Sequence, residues 1–211
     1  MDRASTKDLP RGAVVMNRSE AIEYIWSQIS KHKPEKEVIA LKYGSLIAGG
    51  FASLSGFAML RHFRSSLGLR KEASISSNLF CLFLPCMGTF IYHFLFVTPP
   101  ILLQEKYCNV CLQLKSVAIQ TSVGFLWPWG LAAMSSSMTA TKLGVNMPTL
   151  MQPIELMKMS NFLAQQGKGP AIFTGLLVCN TLGAVLLVSA EESQILTFRR
   201  RIQMRRVLDQ E

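Results

Sequence analysis

The stretch YGSLIAGGFASLSGFAML, residues 43–60, decides the class of this protein, because 18 consecutive positions carry no charged side chain. An α-helix rises about 1.5 Å per residue, so about 20 such residues cross a hydrocarbon core of about 30 Å. Three more stretches behave in the same way: residues 73–97, where only His93 could carry a proton, residues 116–141 and residues 169–190. A soluble core helix rarely needs uncharged runs of that length. The chain of 211 residues is 49% hydrophobic and only 17% charged, against about 25% charged in a typical soluble domain. The expected fold is an all-α membrane protein: a bundle of about four transmembrane helices with amphipathic N- and C-terminal helices.

Working outward from the spans gives three regions: an N-terminal segment over 1–33, a four-span domain over 34–190 and a basic tail over 191–211. The first 20 residues have no apolar core of a secretory signal. Asp2 and Asp8 interrupt Arg3, Lys7, Arg11 and Arg18, a poor pattern for a cleavable mitochondrial presequence. Residues 19–31 read as a short helix, with Ile22, Ile25, Trp26 and Ile29 on one stripe. That helix could lie on the membrane surface or dock a partner. Pro34, with Glu35 and Glu37, fits the first turn of the helix that becomes span one.

The net charge of +9 takes its meaning from the membrane class. In the tail, Arg199, Arg200, Arg201, Arg205 and Arg206 alternate with Ile195, Phe198, Ile202 and Val207. This pattern suits anionic lipid such as cardiolipin, and equally a solvated stop-transfer tail. No basic stripe with interleaved aromatics appears, so nucleic acid is not an expected partner. Four spans put both termini and the 98–115 loop on one side, where 11 basic residues flank the membrane against 7 opposite. The positive-inside rule therefore places the termini inside, which is the matrix if the membrane is mitochondrial.

Span one carries two ladders of small residues spaced by four: Ser45, Gly49, Ser53 and Ala48, Ala52, Gly56. Span four has Gly175, Cys179 and Gly183. Such faces let helix backbones approach closely, within the bundle or against another subunit. Pro85 predicts a kink in span two, and Pro128, between Trp127 and Trp129, predicts one in span three. Residues 142–168 form a connector containing VNMPTLMQP and a short interfacial helix.

Only the pair Cys108 and Cys111 has a spacing with chemical meaning. A quinone-linked thiol oxidoreductase needs a second communicating pair, whereas Cys81, Cys86 and Cys179 lie inside spans. Zinc needs four ligands, and His93 would supply only a third. Met134, Met138, Met147, Met151, Met157 and Met159 could favour Cu(I), but methionine more often fills gaps between helices. What remains is a structural disulfide or a thiol pair at the entry to span three. No catalytic, cofactor-binding or metal site is expected. The expected spans hold no acidic residue, which disfavours a proton-coupled transporter.

The order of these features is familiar. Cys108-x-x-Cys111, an apolar stretch reaching Trp127–Pro128, then TATKLG at 139–144, together with the basic exit LRHFR at 60–64, resembles the transmembrane protein 126 family over roughly residues 40–190. Trp127 stands where the family pattern has Tyr. The resemblance implies a multi-pass protein of the mitochondrial inner membrane without catalytic activity. Its partners would be complex I membrane-arm subunits and other complex I assembly factors, whose assembly it would scaffold. A membrane thiol oxidoreductase using Cys108 and Cys111, or a small transporter or channel subunit, are the alternatives.

Overall fold

The computed structural model describes residues 16–33, 37–69, 75–104, 108–145 and 153–208. The expected helix start at Pro34 and Glu35, most of VNMPTLMQP, and the side chains of Arg205 and Arg206 lie outside the described residues. Every regular element among the described residues is helical. They are α1 (Arg18–Lys31), α2 (Ile39–Ser66), α3 (Ile75–Phe96), α4 (Thr98–Leu103), α5 (Asn109–Thr121), a π-turn (Ser122–Leu126), α6 (Trp127–Lys142), α7 (Pro153–Gln165) and α8 (Gly169–Leu208).

Local sequence sets the helix ends. Asn17 and Glu20 close a capping box at the start of α1, two residues earlier than the sequence pattern suggests. At the far ends of α2 and α6, Gly68 and Gly144 adopt positive φ (72° and 83°). The chain closes there by paired bonds, Leu69 N–H to the Arg64 carbonyl (2.8 Å) and Val145 N–H to the Ala140 carbonyl (3.1 Å). Glycine supplies that left-handed step without a steric penalty.

Three helical runs are long and apolar enough to cross a membrane: Ile39–Ser66, Leu79–Leu103 and Gly169–Met204. The fourth expected span lies within α5, the π-turn and α6, which follow one another without a break from Asn109 to Lys142. Gln120, Thr121 and the serines 135–137 make this run less apolar, yet it traverses the full bundle. Its start packs through Leu112 and Ile119 into a cluster with Ile29, Val97 and Phe198; its later part packs through Phe125, Ala132 and Ala133 with Met59, Phe63 and Phe173 at the opposite end. The four passes alternate in direction, and α2 is the central one. Half of its apolar window is buried in protein, against 28% for the other two candidate spans.

Both prolines have visible consequences. Pro128 has no N–H for the carbonyl one turn back, and the ladder widens into the π-turn just before it. Pro85 likewise leaves the Cys81 carbonyl without its helical donor. Gly56 of α2 sits directly against that carbonyl, so that a Cβ there would collide with the oxygen. Gly49 approaches α3 in the same manner, its notional Cβ 2.7 Å from the Cys86 carbonyl oxygen.

α8 does not stop where the uncharged run stops. It continues unbroken for 40 residues, so the expected boundary between residues 190 and 191 is not a structural one. Ile195 and Phe198 on the extension are buried against α1, α4 and the start of α5.

Candidate functional site

Buried polar groups occur along the bundle, and in three places they join helices distant in sequence. Between the two apolar clusters, Asn180 of α8 joins α2 to α5. Its Nδ2 donates to Ser55 Oγ (2.6 Å), and its Oδ1 accepts from Gln120 Nε2 (2.9 Å). Gln120 Nε2 also reaches the Ala48 carbonyl at 3.1 Å. All three side chains are buried. The π-turn brings Gly124 against this node, where an added Cβ would lie 3.1 Å from Gln120 Nε2 and 3.3 Å from Asn180 Oδ1. A buried amide must be satisfied or it costs free energy, so the node fixes the register of three helices.

Nearer the end occupied by α1, His93 of α3 faces Glu191 of α8, Nε2 to Oε1 3.6 Å, with each side chain only 2% exposed. Gly44 of α2 backs the carboxylate, and a Cβ at that position would collide with Glu191 Oε1. Among the described residues neither His93 nitrogen has a hydrogen-bond partner, and nor has Glu191 Oε2. An acidic side chain therefore lies inside the bundle, contrary to the expectation of spans without one. The charge at position 191 looked like a membrane exit, but the helix carries it inward onto a histidine.

At that end the tail is folded back as a clasp. Gln194 Oε1 accepts from the backbone N–H of Ala40 (2.8 Å) and Leu41 (3.3 Å). It thereby caps the first turn of α2, where Val38 offers no side-chain cap. Arg199 donates to the Leu102 carbonyl at 2.6 Å, and Arg201 pairs with Glu37 at 2.8 Å. These two arginines were expected to face lipid. Arg199 is drawn partly inward to the carbonyl at the end of α4, whereas Arg201 reaches the carboxylate ahead of α2 with its side chain still 46% exposed. Arg200 is exposed.

The packing residues anticipated from spacing divide. Ala52 is fully buried, Gly49 and Gly56 form the α2–α3 contact, Ser53 is half-buried, and a Cβ added at Gly183 would lie 3.3 Å from the Phe51 ring. Gly175 is exposed, with nothing within 4 Å of an added Cβ, and Cys179 is exposed as well. A four-residue ladder locates one face of a helix without saying which neighbour that face meets. Trp129 packs on Phe125 and Phe173, while Trp127 is 41% exposed.

Cys108 and Cys111 are both exposed thiols. Cys108 occupies the N-cap of α5 without closing a side-chain cap bond; Cys111 stands three residues on, its N–H bonded to the Cys108 carbonyl at 2.9 Å. The thiol of Cys108 lies in the field of the first-turn donors. The Cys111 N–H foremost, then the Cys111 thiol and the Val110 N–H, hold its pKa below the ordinary thiol value. Cys108 in turn pushes the Cys111 thiol up. The two sulfurs are chemically unequal.

Comparison with known proteins places these features in a lineage. Residues 19–155 match the sequence model of the family described as Transmembrane protein 126. The chain is similar to a Drosophila melanogaster protein named Transmembrane protein 126, 34% identical over 143 residues, which is 67% of this chain and 64% of that relative. The match therefore spans less than two thirds of the relative's length. No solved structure matches.

Proposed function

Because this chain belongs to the transmembrane protein 126 family, we propose that it is a non-catalytic scaffold of the mitochondrial inner membrane that supports assembly of the membrane arm of respiratory complex I. The observation that carries this reading is the division of labour among the helices. α2 is the most buried of the three candidate spans and is locked by the Ser55–Asn180–Gln120 node and the Gln194 cap. α3 and α8 keep large apolar side chains on their outer faces, including Leu79, Phe83, Leu95, Leu182 and Leu186. A rigid bundle of this kind can meet membrane-embedded subunits sideways without remodelling itself. The partners are complex I membrane-arm subunits and other assembly factors. Anionic lipid such as cardiolipin is met at the basic C-terminal end through side chains such as Arg200, and both termini lie in the matrix.

Complexome profiling of mitochondria with and without the protein tests the reading. Co-migration with membrane-arm intermediates, and their loss when the protein is removed, is the expected result; unchanged complex I assembly and no co-migrating subunit would refute it. Protease protection in mitoplasts reports which side holds the termini.

A further inference from the structure

We propose that Cys108 and Cys111 form a thiol–disulfide exchange centre whose substrate is a polypeptide disulfide flanked by an apolar residue. The proposal does not depend on the scaffold reading and departs from its non-catalytic part, since it adds an exchange activity to the same chain. Three observations converge. The two cysteines take the N-cap and third positions of a 13-residue helix, so that they share its first turn. Both are open to solvent, whereas Cys81 is fully buried. A cavity of about 320 Å³ opens at the same end of the helix, lined by Asn109 and Leu112, which follow Cys108 and Cys111 in the chain, with Ile101 and Leu196 as further apolar walls and Gln104 and Glu192 as a polar edge. The walls suit an aliphatic side chain, and the amides and carboxylate suit a peptide backbone.

The reaction has two steps. The Cys108 thiolate attacks one sulfur of the substrate disulfide; that S–S bond breaks, a mixed disulfide forms, and the first substrate sulfur leaves as thiolate. Cys111 then attacks Cys108 Sγ, closing the Cys108–Cys111 disulfide and releasing the second substrate thiol. The chain loses two electrons and its two thiol protons, and the substrate gains both as two thiols. The inequality of the two sulfurs assigns the order, because the better-ionised thiol is the one that meets the substrate.

The full chain, purified in lipid nanodiscs and reduced, is mixed with one of two probes: the disulfide-linked dimer of N-acetyl-Cys-Leu amide, or glutathione disulfide as a polar comparator. Alkylation followed by mass spectrometry reads the products. The wild type should end as the Cys108–Cys111 disulfide. Cys111→Ser should stop at a mixed disulfide on Cys108, and Cys108→Ser should react about tenfold or more slowly. Alkylation of Cys108 should persist to lower pH than that of Cys111. The leucine probe should react faster than glutathione disulfide, and Leu196→Trp, which fills the cavity, should abolish that preference without slowing glutathione disulfide. A mixed disulfide forming equally well on Cys111, or no internal disulfide, would overturn the exchange centre. Equal rates for the two probes on the wild type would overturn the polypeptide substrate.

Discussion

The same chemical change, glycine to alanine, should have opposite consequences at Gly56 and Gly175. At Gly56 the new methyl would be driven into the Cys81 carbonyl oxygen, with the Pro128 Cβ in ordinary contact at 3.5 Å. The obstacle is backbone, so it cannot rotate aside. Overpacking of this kind costs about 1–3 kcal/mol, offset in part by roughly 0.5–1 kcal/mol from the better helix propensity of alanine. The net expectation is a loss of about 1–2 kcal/mol, or a fall of a few degrees in Tm for a chain of this size. At Gly175 nothing lies within 4 Å of the added methyl, so only the propensity gain remains, and stability should hold or rise by up to about 1 kcal/mol. The assay is thermal unfolding in detergent with a maleimide dye that reports exposure of the buried Cys81 thiol, in a background where Cys86, Cys108, Cys111 and Cys179 are serine. If both variants melt at the wild-type temperature, or if Gly175→Ala is the more damaging, the described α2–α3 contact is wrong.

Other perturbations test the remaining contacts. Asn180→Ala removes the bonds to Ser55 and Gln120 and should cost about 1–3 kcal/mol, since interhelical hydrogen bonds in membranes contribute roughly 0.6–2 kcal/mol each; the same melting assay measures it. Gln194→Ala uncaps α2 and should cost on the order of 0.5–2 kcal/mol, with faster hydrogen exchange confined to the Ala40 and Leu41 amides as its signature. His93→Leu removes the polar group that faces Glu191 and should destabilise by about 1–3 kcal/mol, whereas His93→Leu combined with Glu191→Leu should recover most of that loss. A double-mutant cycle in which the two changes simply add would show that the side chains are not coupled.

The membrane class was legible because it depends on composition over long windows, and residues 43–60 could have had few other uses. The interior was much less legible. Glu191 sits one residue beyond an uncharged run, and a charge there ordinarily marks the water interface; only the position of His93 on another helix shows that it points inward. Gln120 and Asn180 are single polar residues in apolar runs, and their partnership depends on which faces α5 and α8 present to each other. Gly56 and Gly175 belong to ladders of identical spacing, but Pro85 on a neighbouring helix gave one of them a carbonyl to pack against. Arg199 and Arg201 have the alternation of a lipid-facing helix, yet carbonyl and carboxylate acceptors nearby claimed them. Cys108 and Cys111 were found by spacing, whereas their inequality comes from the helix N-terminus they occupy.

The Gln194 cap has a consequence for how the protein is made. The donors it satisfies belong to the first membrane helix and the acceptor to the fourth, with Gln194 standing 154 positions after Ala40. During synthesis the start of α2 enters the bilayer with those amides open, and they stay open until Gln194 has been translated. The native state is thus closed by a late segment, as a contact far apart in the sequence completes the first membrane helix. A chain cut short after the fourth span would insert every apolar run and still lack its closing clasp. Such a product would be membrane-integrated yet structurally unfinished, with a frayed first helix as the feature by which quality-control proteases could tell it from the complete protein.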